Sequence, residues 1–286
     1  MLENNIIREN NNGLVSVIMG IFNCSEYLPE AIESIMNQTY DNIELIICDD
    51  CSTDESYKIA EKYKERYPDK IKLIKNTNNR KLAYSLNHCL KYAKGEFVAR
   101  MDGDDISEKD RFSKQVKYLI EHRNVDLVGC NMKRFNNNGM ADEVCAPEKP
   151  NRYTLHNRMP FNHATIMTYY RVYEKLGGYT VAERTNRAQD YDLWFRFFAE
   201  GFCGYNIQEC LYRVREDDAA IRRRTFKVRW NAFKTTVYGY RLLNYPKIWI
   251  IRPALLLILK TLIPYRVVGC FRKYQKDRFE KKHNNR

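Results

Sequence analysis

Asp102, Asp104 and Asp105 lie within four residues of one another, directly after the apolar run at residues 97–101, which reads as a buried strand. Residues two apart on an extended strand project to the same face, so Asp102 and Asp104 can reach one point. Clustered carboxylate oxygens suit Mg²⁺ or Mn²⁺, and Mg²⁺ sites commonly combine one or two carboxylates with substrate phosphates. The pattern favours a cation that holds a diphosphate, and the alternative is an acidic turn that caps the next helix.

Two other polar groups stand where predicted strands end. Asn23 follows residues 14–22, and Asp49-Asp50 follows residues 43–48. In an open parallel sheet, ligands bind outside the carboxyl ends of the strands. Asp50 is left over after helix capping, and its carboxylate can accept hydrogen bonds from a base edge or a ribose hydroxyl. No glycine-rich dinucleotide fingerprint or P-loop occurs, so phosphate binding is left to a metal.

The first half of the chain alternates short apolar runs with helical periods, which predicts an α/β fold with a mostly parallel central sheet flanked by helices. The predicted strands are 14–22, 43–48, 71–75, 97–101 and 125–130. The predicted helices are 28–36, 53–67, 83–93 and 111–122. Ser25 is a candidate cap for the first helix, and Ser52-x-x-Glu55 reads as a capping box for the second.

Composition and charge narrow the class of protein. The 286 residues are 44% hydrophobic, enough for a real core, and the formal net charge is +12. Residues 222–286 contain 18 Lys and Arg against 2 Asp and Glu, so the basicity belongs to the C-terminal part. No nucleic-acid-binding signature accompanies this charge, which argues against a nucleic-acid partner. Residues 1–13 are polar and lack the features of a signal peptide, so we expect a cytoplasmic protein.

An apolar segment lies within the basic part, at residues 248–263. Two basic residues and a proline interrupt it, so it falls short of the roughly 18 uncharged residues of a spanning helix. Trp249 and Tyr265 flank it as interfacial aromatics do, and basic residues beyond it would meet anionic lipid headgroups. Those basic residues are Arg266, Arg272, Lys273, Lys276 and Arg278. Two readings stay open: a helix lying on an anionic membrane surface, or a buried C-terminal helix with a solvated basic face.

Five sequence blocks between residue 14 and about residue 215 together resemble the family 2 glycosyltransferases, whose GT-A fold joins a nucleotide-binding α/β half to an acceptor region. Their order and spacing are more specific than any one block. The blocks are Val15-Ser-Val-Ile-Met-Gly-Ile-Phe-Asn23, Ser34-Ile-Met-Asn-Gln-Thr-Tyr40, Asp49-Asp50-x-Ser-x-Asp54, Ala93-Lys-Gly-Glu-Phe-Val-Ala-Arg-Met-Asp-Gly-Asp-Asp105 and Gln189-Asp-Tyr-Asp-Leu-Trp194. The resemblance implies an inverting enzyme that transfers a sugar from a nucleotide-diphosphate donor.

The resemblance also implies roles for single residues. Asp50 looks like the residue that pairs with the nucleotide base, usually uracil, and Asn23 belongs to the same donor site. Asp104 looks like the direct ligand of Mn²⁺ or Mg²⁺, with Asp102 beside the donor's ribose or the metal. Asp190 would be the catalytic base that takes the proton of the acceptor hydroxyl. A helix N-terminus just behind it would favour the ionised carboxylate.

Three more residues are candidates for sugar or phosphate contacts. His163 lies in a predicted strand at 162–167, and by the resemblance it would face the acceptor or donor sugar. Gln189 stands where the family often has an acidic residue, so a hydrogen-bonding group is kept and a charge is lost. Arg215 carries a guanidinium fork suited to phosphate. Asp192 is the alternative base, although two residues along a helix turn it about 200° from its neighbour.

The sequence thus predicts a polar tail at 1–13, a GT-A domain at 14–221 and a basic, helical extension at 222–286. Within the domain, 14–130 would bind the nucleotide and 131–221 the acceptor. We expect a metal-dependent glycosyltransferase that uses a UDP-sugar and a lipid-linked or glycan acceptor in polysaccharide or glycolipid synthesis, peripheral at the inner face of the cell membrane. The alternatives are a noncatalytic, membrane-associated module that binds nucleotide sugars, and a sugar nucleotidyltransferase, whose glycine-rich basic loop is missing after the first strand.

Overall fold

The computed structural model describes residues 13–136, 139–216 and 225–262. The strands of these ranges are β1 (Val15–Ile21), β2 (Ile43–Asp49), β3 (Ile71–Lys75), β4 (Phe97–Asp102), β5 (Ile106–Ser107), β6 (Leu127–Asn136), β7 (Gly139–Val144), β8 (Met167–Tyr169) and β9 (Gly204–Arg215). The α-helices are α1 (Leu28–Met36), α2 (Ser56–Arg66), α3 (Leu82–Leu90), α4 (Arg111–Glu121), α5 (Thr154–Asn157), α6 (Tyr170–Leu176), α7 (Gln189–Ala199), α8 (Phe226–Leu242) and α9 (Ile251–Leu262). The predicted tail lies outside these residues except for Gly13.

The described strands form one mixed sheet. Its order is β3-β2-β1-β4-β8-β6-β9-β5, with β7 paired to β6. The first four strands of that order are parallel to one another, as predicted. Beyond β4 the pairing is mixed: β8 is antiparallel to both of its neighbours, β6 and β9 are parallel to each other, and β5 is antiparallel to β9. The α/β class is confirmed, and the four consecutive parallel strands come from the first half of the chain.

The centre of the core is made by β1, β2 and β4, whose side chains are nearly all buried. Such strands are continuous apolar runs because helices cover both faces of a parallel sheet. α1 packs the residues predicted from its helical period into this core: Leu28, Ala31, Ile32 and Ile35 are buried. Full burial of one Leu or Ile side chain contributes about 1.5–3 kcal/mol, so this face alone fixes the helix on the sheet.

The strand register places the polar clusters at one edge of the sheet. Ile21, at the end of β1, is paired with Asp49 on one side, and Gly20 is paired with Asp102 on the other. Because adjacent strands lie about 4.8 Å apart, the two acidic clusters stand about 10 Å apart across β1. The predicted edge of the sheet therefore carries both clusters.

The predicted helix caps are wrong, because their polar groups join loops instead. Ser25 does not cap α1, and its backbone N–H donates to Asp54 Oδ2 at 3.0 Å. Ser52 and Glu55 form no capping box for α2, and Ser52 Oγ accepts the backbone N–H of Asn23 at 3.1 Å. Burial tends to raise the pKa of Asp54, but hydrogen bonds from two serines outweigh it and lower that pKa to about 2. These side chains hold the loops after β1 and β2 together.

The predicted strand at 162–167 is also wrong over most of its length. His163–Thr165 forms a 3-10 turn, and β8 begins at Met167. The reason is local: both the backbone N–H and the hydroxyl of Thr165 donate to the carbonyl of Asn162, each at 2.9 Å. A side chain that bonds to its own backbone in this way competes with strand pairing.

The C-terminal helices differ in how they pack. α8 lies against α7, with Thr235 and Tyr240 buried. α9 leaves apolar side chains in the open, with Leu255 54% and Leu259 53% exposed, so the described part of 248–263 is not a buried helix. None of the helices in the described ranges has the length and apolarity that a membrane crossing requires. The basic residues predicted to meet lipid, from Arg266 onward, lie outside the described residues.

Candidate active site

Asp105 anchors the acidic turn after β4 to β9. Its Oδ2 accepts the hydroxyl proton of Tyr212 at 2.9 Å, and its Oδ1 accepts the backbone N–H of Arg215 at 2.8 Å. Asp105 is 2% exposed, whereas Asp102 and Asp104 are half-buried. The third carboxylate of the cluster is therefore structural, and the first two are left at the edge of the sheet.

Arg100 pairs with Asp102 and was missed by sequence reasoning. Its guanidinium Nη2 contacts Asp102 Oδ1, and the whole residue is 4% exposed. The signal was present, because a lone charged residue in an apolar strand two positions before Asp102 must share its face. This buried cation offsets one negative charge of the acidic turn.

Asp102 and Asp104 fit a divalent cation. Burial, followed by repulsion from Asp102, raises the pKa of Asp104 to about 6. A cation beside the two carboxylates would relieve that repulsion, and hard oxygen ligands match Mg²⁺ or Mn²⁺. Among the described residues no group of three or more His, Cys, Asp or Glu side chains could hold a metal ion. Phosphate oxygens of a substrate and water would have to complete the coordination shell.

Arg215 braces the acidic turn from the opposite strand. Its Nε donates to the carbonyl of Asp104 at 3.1 Å, and its Nη2 donates to Glu30 at 2.7 Å. The guanidinium also lies over the rings of Tyr27 and Phe135, at 4.0 and 4.3 Å from their centroids. The fork predicted to bind phosphate is thus already engaged with protein, and its contact with substrate stays a prediction.

Asp50 has structural partners of its own. The sequence argument that its carboxylate is available to a ligand because helix capping does not use it is therefore wrong. Asp50 Oδ1 accepts hydrogen bonds from Asn76 Nδ2 at 2.8 Å and from the backbone N–H of Arg80 at 2.7 Å. Its Oδ2 accepts the backbone N–H of Lys81 at 2.8 Å. A carboxylate has about four acceptor directions, so one on Oδ2 remains for a ligand. The carboxylate fixes the loop after β3, and base pairing stays a prediction.

Asn23 joins the loops after β1 and β2. Its Oδ1 accepts the backbone N–H of Thr53 at 2.9 Å, and its Nδ2 donates to the hydroxyl of the same residue at 3.2 Å. Asn23 has a φ of 50°, a left-handed conformation that Asn tolerates better than most residues. The structure places it at the predicted edge, exposed, with its amide engaged by protein.

Asp190 lies inside the first turn of α7 rather than just before it as predicted, because the helix begins at Gln189. It is half-buried, and its Oδ1 accepts the backbone N–H of Tyr191 at 2.9 Å. Burial raises the pKa of Asp190, while hydrogen bonds to backbone N–H groups and the charge of Arg100 act in the other direction. A raised pKa makes the ionised carboxylate a stronger base than an ordinary aspartate, as suits a group that accepts a proton.

Asp192, the alternative base, is structural. It is fully buried, and Arg184 and Arg196 donate to its two oxygens at 2.5 and 2.7 Å. The hydroxyl of Thr180 adds a third hydrogen bond at 2.6 Å. A carboxylate neutralised by two guanidinium groups is a poor proton acceptor, so Asp190 is the better candidate.

His163 packs against α7, the helix that carries Gln189 and Asp190, with its ring centroid 5.9 Å from that of Trp194. His163 Nε2 is 2.9 Å from the hydroxyl of Tyr179, and burial, followed by the charge of Arg100, lowers its pKa well below the usual value. The imidazole is therefore neutral at physiological pH. Gln189 is the first residue of α7 and lines a cavity of about 530 Å³. Arg100 acts on both His163 and Asp190, so the structure brings β4, the 3-10 turn and α7 together around it.

Comparison with known sequences identifies the family. The model of the family described as Glycosyl transferase family 2 matches residues 16–177. A putative glycosyltransferase EpsE of Bacillus subtilis is 50% identical over 217 residues, which cover 76% of this chain and 78% of the relative. WfgD of Escherichia coli, a UDP-Glc:α-D-GlcNAc-diphosphoundecaprenol β-1,3-glucosyltransferase, is 35% identical over 137 residues, which cover 48% of this chain and 52% of that protein.

Solved structures share the fold. Residues 1–349 of TarS of S. aureus, in complex with UDP-GlcNAc, superpose with a TM-score of 0.67 at 18% identity, covering 85% of this chain and 70% of that one. The mannosyltransferase PcManGT of Pyrobaculum calidifontis, in complex with GDP-Man and Mn²⁺, gives a TM-score of 0.60 at 18% identity, covering 91% of this chain and 79% of that one. The predicted GT-A fold is confirmed. With the family match over residues 16–177 and the 50% identical relative, the chain belongs to glycosyl transferase family 2.

Proposed function

We propose that the chain transfers a sugar from a UDP-sugar to a hydroxyl group of a lipid-linked or glycan acceptor, with inversion at the anomeric carbon. The observation that carries this proposal is that Arg100, which is paired with Asp102, also acts through its charge on Asp190. Asp102 ends β4 and Asp104 lies in the turn after it, and half-buried Asp190 lies in the first turn of α7. Asp102 and Asp104 are suited to bind a cation that holds a diphosphate, and Asp190 is suited to accept a proton.

Each carboxylate has a separate task in such a transfer. A divalent cation bound by Asp104 and Asp102 would offset the negative charge that develops on the leaving diphosphate. The oxygen of the acceptor hydroxyl forms a bond to the anomeric carbon while the bond from that carbon to the diphosphate breaks. Asp190 accepts the proton that the hydroxyl loses in this step. Arg100 holds Asp102 in place and contributes positive charge to the same edge. Attack by the acceptor itself, without a protein nucleophile, inverts the configuration.

The names of relatives and of solved structures support the proposed donor and acceptor classes. TarS was solved with UDP-GlcNAc, and WfgD is named for a UDP-Glc donor and a diphosphoundecaprenol-linked acceptor. PcManGT was solved with GDP-Man and Mn²⁺, so the donor's nucleotide has to be tested directly. We place the reaction in the synthesis of a polysaccharide or glycolipid.

The C-terminal part supports a location at the inner face of the cell membrane. Residues 222–286 carry 18 basic against 2 acidic residues, which complements an anionic lipid surface. Ile248, Ile251 and Ile258 are 69%, 55% and 54% exposed, so the segment offers apolar side chains beside that charge. A helix of this kind lies in the interface rather than across it.

Separate measurements of donor binding and of sugar transfer test the roles proposed for Asp104 and Asp190. With Mn²⁺ and a panel of nucleotide sugars, we expect Asp104→Asn to abolish donor binding and Asp190→Asn to retain binding and abolish transfer. Asp69→Asn makes the same chemical change on an exposed residue and serves as the control. Equal loss of donor binding in both site variants would reject the role assignment. If the wild type binds the donor but releases no nucleotide with any acceptor, the noncatalytic module is the better description.

A further inference from the structure

The two ends of the acidic turn are joined by one hydroxyl group. The hydroxyl of Tyr212 accepts the backbone N–H of Asp102 at 3.2 Å and donates its proton to Asp105 Oδ2 at 2.9 Å. Tyr212 is fully buried in β9. Asp104 lies between these two aspartates in the chain, so the backbone on both sides of the expected cation ligand is held through the same side chain.

The Tyr212 hydroxyl stands where a neighbouring strand would otherwise pair with β4. β4 and β8 are antiparallel, and their register, continued to the end of β4, would bring Asp102 opposite Ala164. Ala164 belongs instead to the 3-10 turn at His163–Thr165. A buried N–H without a partner costs about as much free energy as a lost hydrogen bond. The hydroxyl removes that cost for the last N–H of β4.

Arg111 fixes the aromatic ring that carries this hydroxyl. Its guanidinium is fully buried, with Cζ 5.0 Å from the ring centroid of Tyr212. Nη2 of Arg111 donates to the carbonyl of Arg100 at 2.9 Å and to that of Ala164 at 3.4 Å. A guanidinium attracts the face of an aromatic ring, so it holds the tyrosine against β4 and the 3-10 turn. The backbone of Tyr212 is held as well, because it is paired with Ser107 of β5.

We propose that Tyr212 is a positioning residue for the divalent cation: its hydroxyl holds the backbone of the acidic turn so that Asp102 and Asp104 are preorganised to bind the ion. The charge of Asp102 repels that of Asp104, so a turn free to move would separate them. A turn that is fixed at both ends keeps the two carboxylates close before the cation binds, and less ordering then opposes binding. The proposal rests on the proposed function for the role of the cation, and it adds a residue that acts through the backbone rather than as a ligand.

Tyr212→Phe removes the hydroxyl and retains the ring, so Mn²⁺ binding by this variant tests the proposal. The probe is Mn²⁺ alone, and the electron paramagnetic resonance signal of the unbound ion measures its Kd. We expect the Kd to rise about 10–100-fold, the usual effect of losing a residue that orients metal ligands. We also expect faster hydrogen exchange at the N–H of Asp102. The N–H of Arg100, which donates to the carbonyl of Ile166 at 3.0 Å, should stay protected.

Tyr169→Phe is the matched control, because it removes another buried hydroxyl from the same sheet. Tyr169 is 7% exposed, and its hydroxyl donates to the carbonyl of Leu119 at 2.9 Å. Tyr169 is paired with Phe97, at the end of β4 away from Asp102. We expect both variants to lower Tm, because each loses a buried hydrogen bond, and only Tyr212→Phe to weaken Mn²⁺ binding.

The Mn²⁺ measurement can reject the positioning role without any assay of transfer. Wild-type Mn²⁺ affinity in Tyr212→Phe, an equal loss of affinity in Tyr169→Phe, or no Mn²⁺ binding by the wild type would overturn the proposal. Mn²⁺ binding needs neither donor nor acceptor. A failure of the glycosyltransferase assignment would therefore be visible separately, as the absence of nucleotide release from every donor tested with the wild type.

Discussion

At the scale of one residue, the role proposed for Asp190 sets two demands, because a base shielded from water by its surroundings must still be charged to accept a proton. Its pKa is raised mainly by burial, so the carboxylate is ionised above that pKa and protonated below it. Transfer by the wild type should therefore decline as the pH falls through a value above the usual 3.8 of an aspartate. The measurement is kcat/KM against pH.

Asp190→Asn should lose transfer by about 10²–10⁴-fold, the usual contribution of a general base. Because the folded-state pKa of Asp190 is raised, its ionised form opposes folding above that pKa. The Asn variant should then have a higher Tm than the wild type at pH 8 and an equal Tm near pH 3, where the wild-type carboxyl is protonated. Asp69→Asn is the control for both readings. A variant with lower Tm at pH 8 would show that Asp190 is structural.

The loop after β3 shows how an element is held for function. Asp50 directly follows β2, and its carboxylate accepts hydrogen bonds from the backbone N–H groups of Arg80 and Lys81. Its third partner is the side-chain amide of Asn76. Asp49, next to Asp50, accepts the backbone N–H of Ser52 and so fixes a different loop. The two neighbouring carboxylates offer a matched pair of substitutions.

Asp50→Asn should loosen the loop after β3, because an amide replaces one of the accepting oxygens with a donor. We expect faster hydrogen exchange at Arg80 and Lys81 and weaker donor binding, with a stability loss of about 1–3 kcal/mol for the unsatisfied N–H. Asp49→Asn should instead speed exchange at Ser52 and leave Arg80 protected. Unchanged protection of Arg80 in Asp50→Asn would contradict the assigned role of this carboxylate.

At the scale of the whole molecule, the chain combines the acidic edge of the sheet with α9, a helix whose apolar side chains are exposed. We expect the protein to sediment with phosphatidylglycerol vesicles, less with neutral vesicles, and less as salt rises, because the attraction is partly electrostatic. Leu255→Glu combined with Leu259→Glu should lower vesicle binding at least tenfold without lowering Tm, since both side chains are exposed. The control is Ile120→Glu, which makes the same kind of change at a 44% exposed position of α4. Equal binding by all three proteins would remove the membrane assignment for α9.

The sequence by itself determined the class of fold, the parallel strands of the first half and the positions of Asp102, Asp104 and Asp190, because strand periods and short-range spacing are local properties. It could also have identified Arg100, which shares a face of β4 with Asp102. Roles that depend on distant partners were misjudged: Ser25 and Ser52 were expected to cap helices, and they join loops instead.

Tertiary structure alone decided what each polar side chain contacts. Asp192 is neutralised by Arg184, which lies outside its helix, and Asp50 is engaged by a loop about thirty residues further along the chain. The backbone of Lys81, with a φ of 70°, is likewise held by that long-range contact. Such contacts form when strands and loops far apart in the sequence meet at one edge of the sheet, and no local pattern of residues records them.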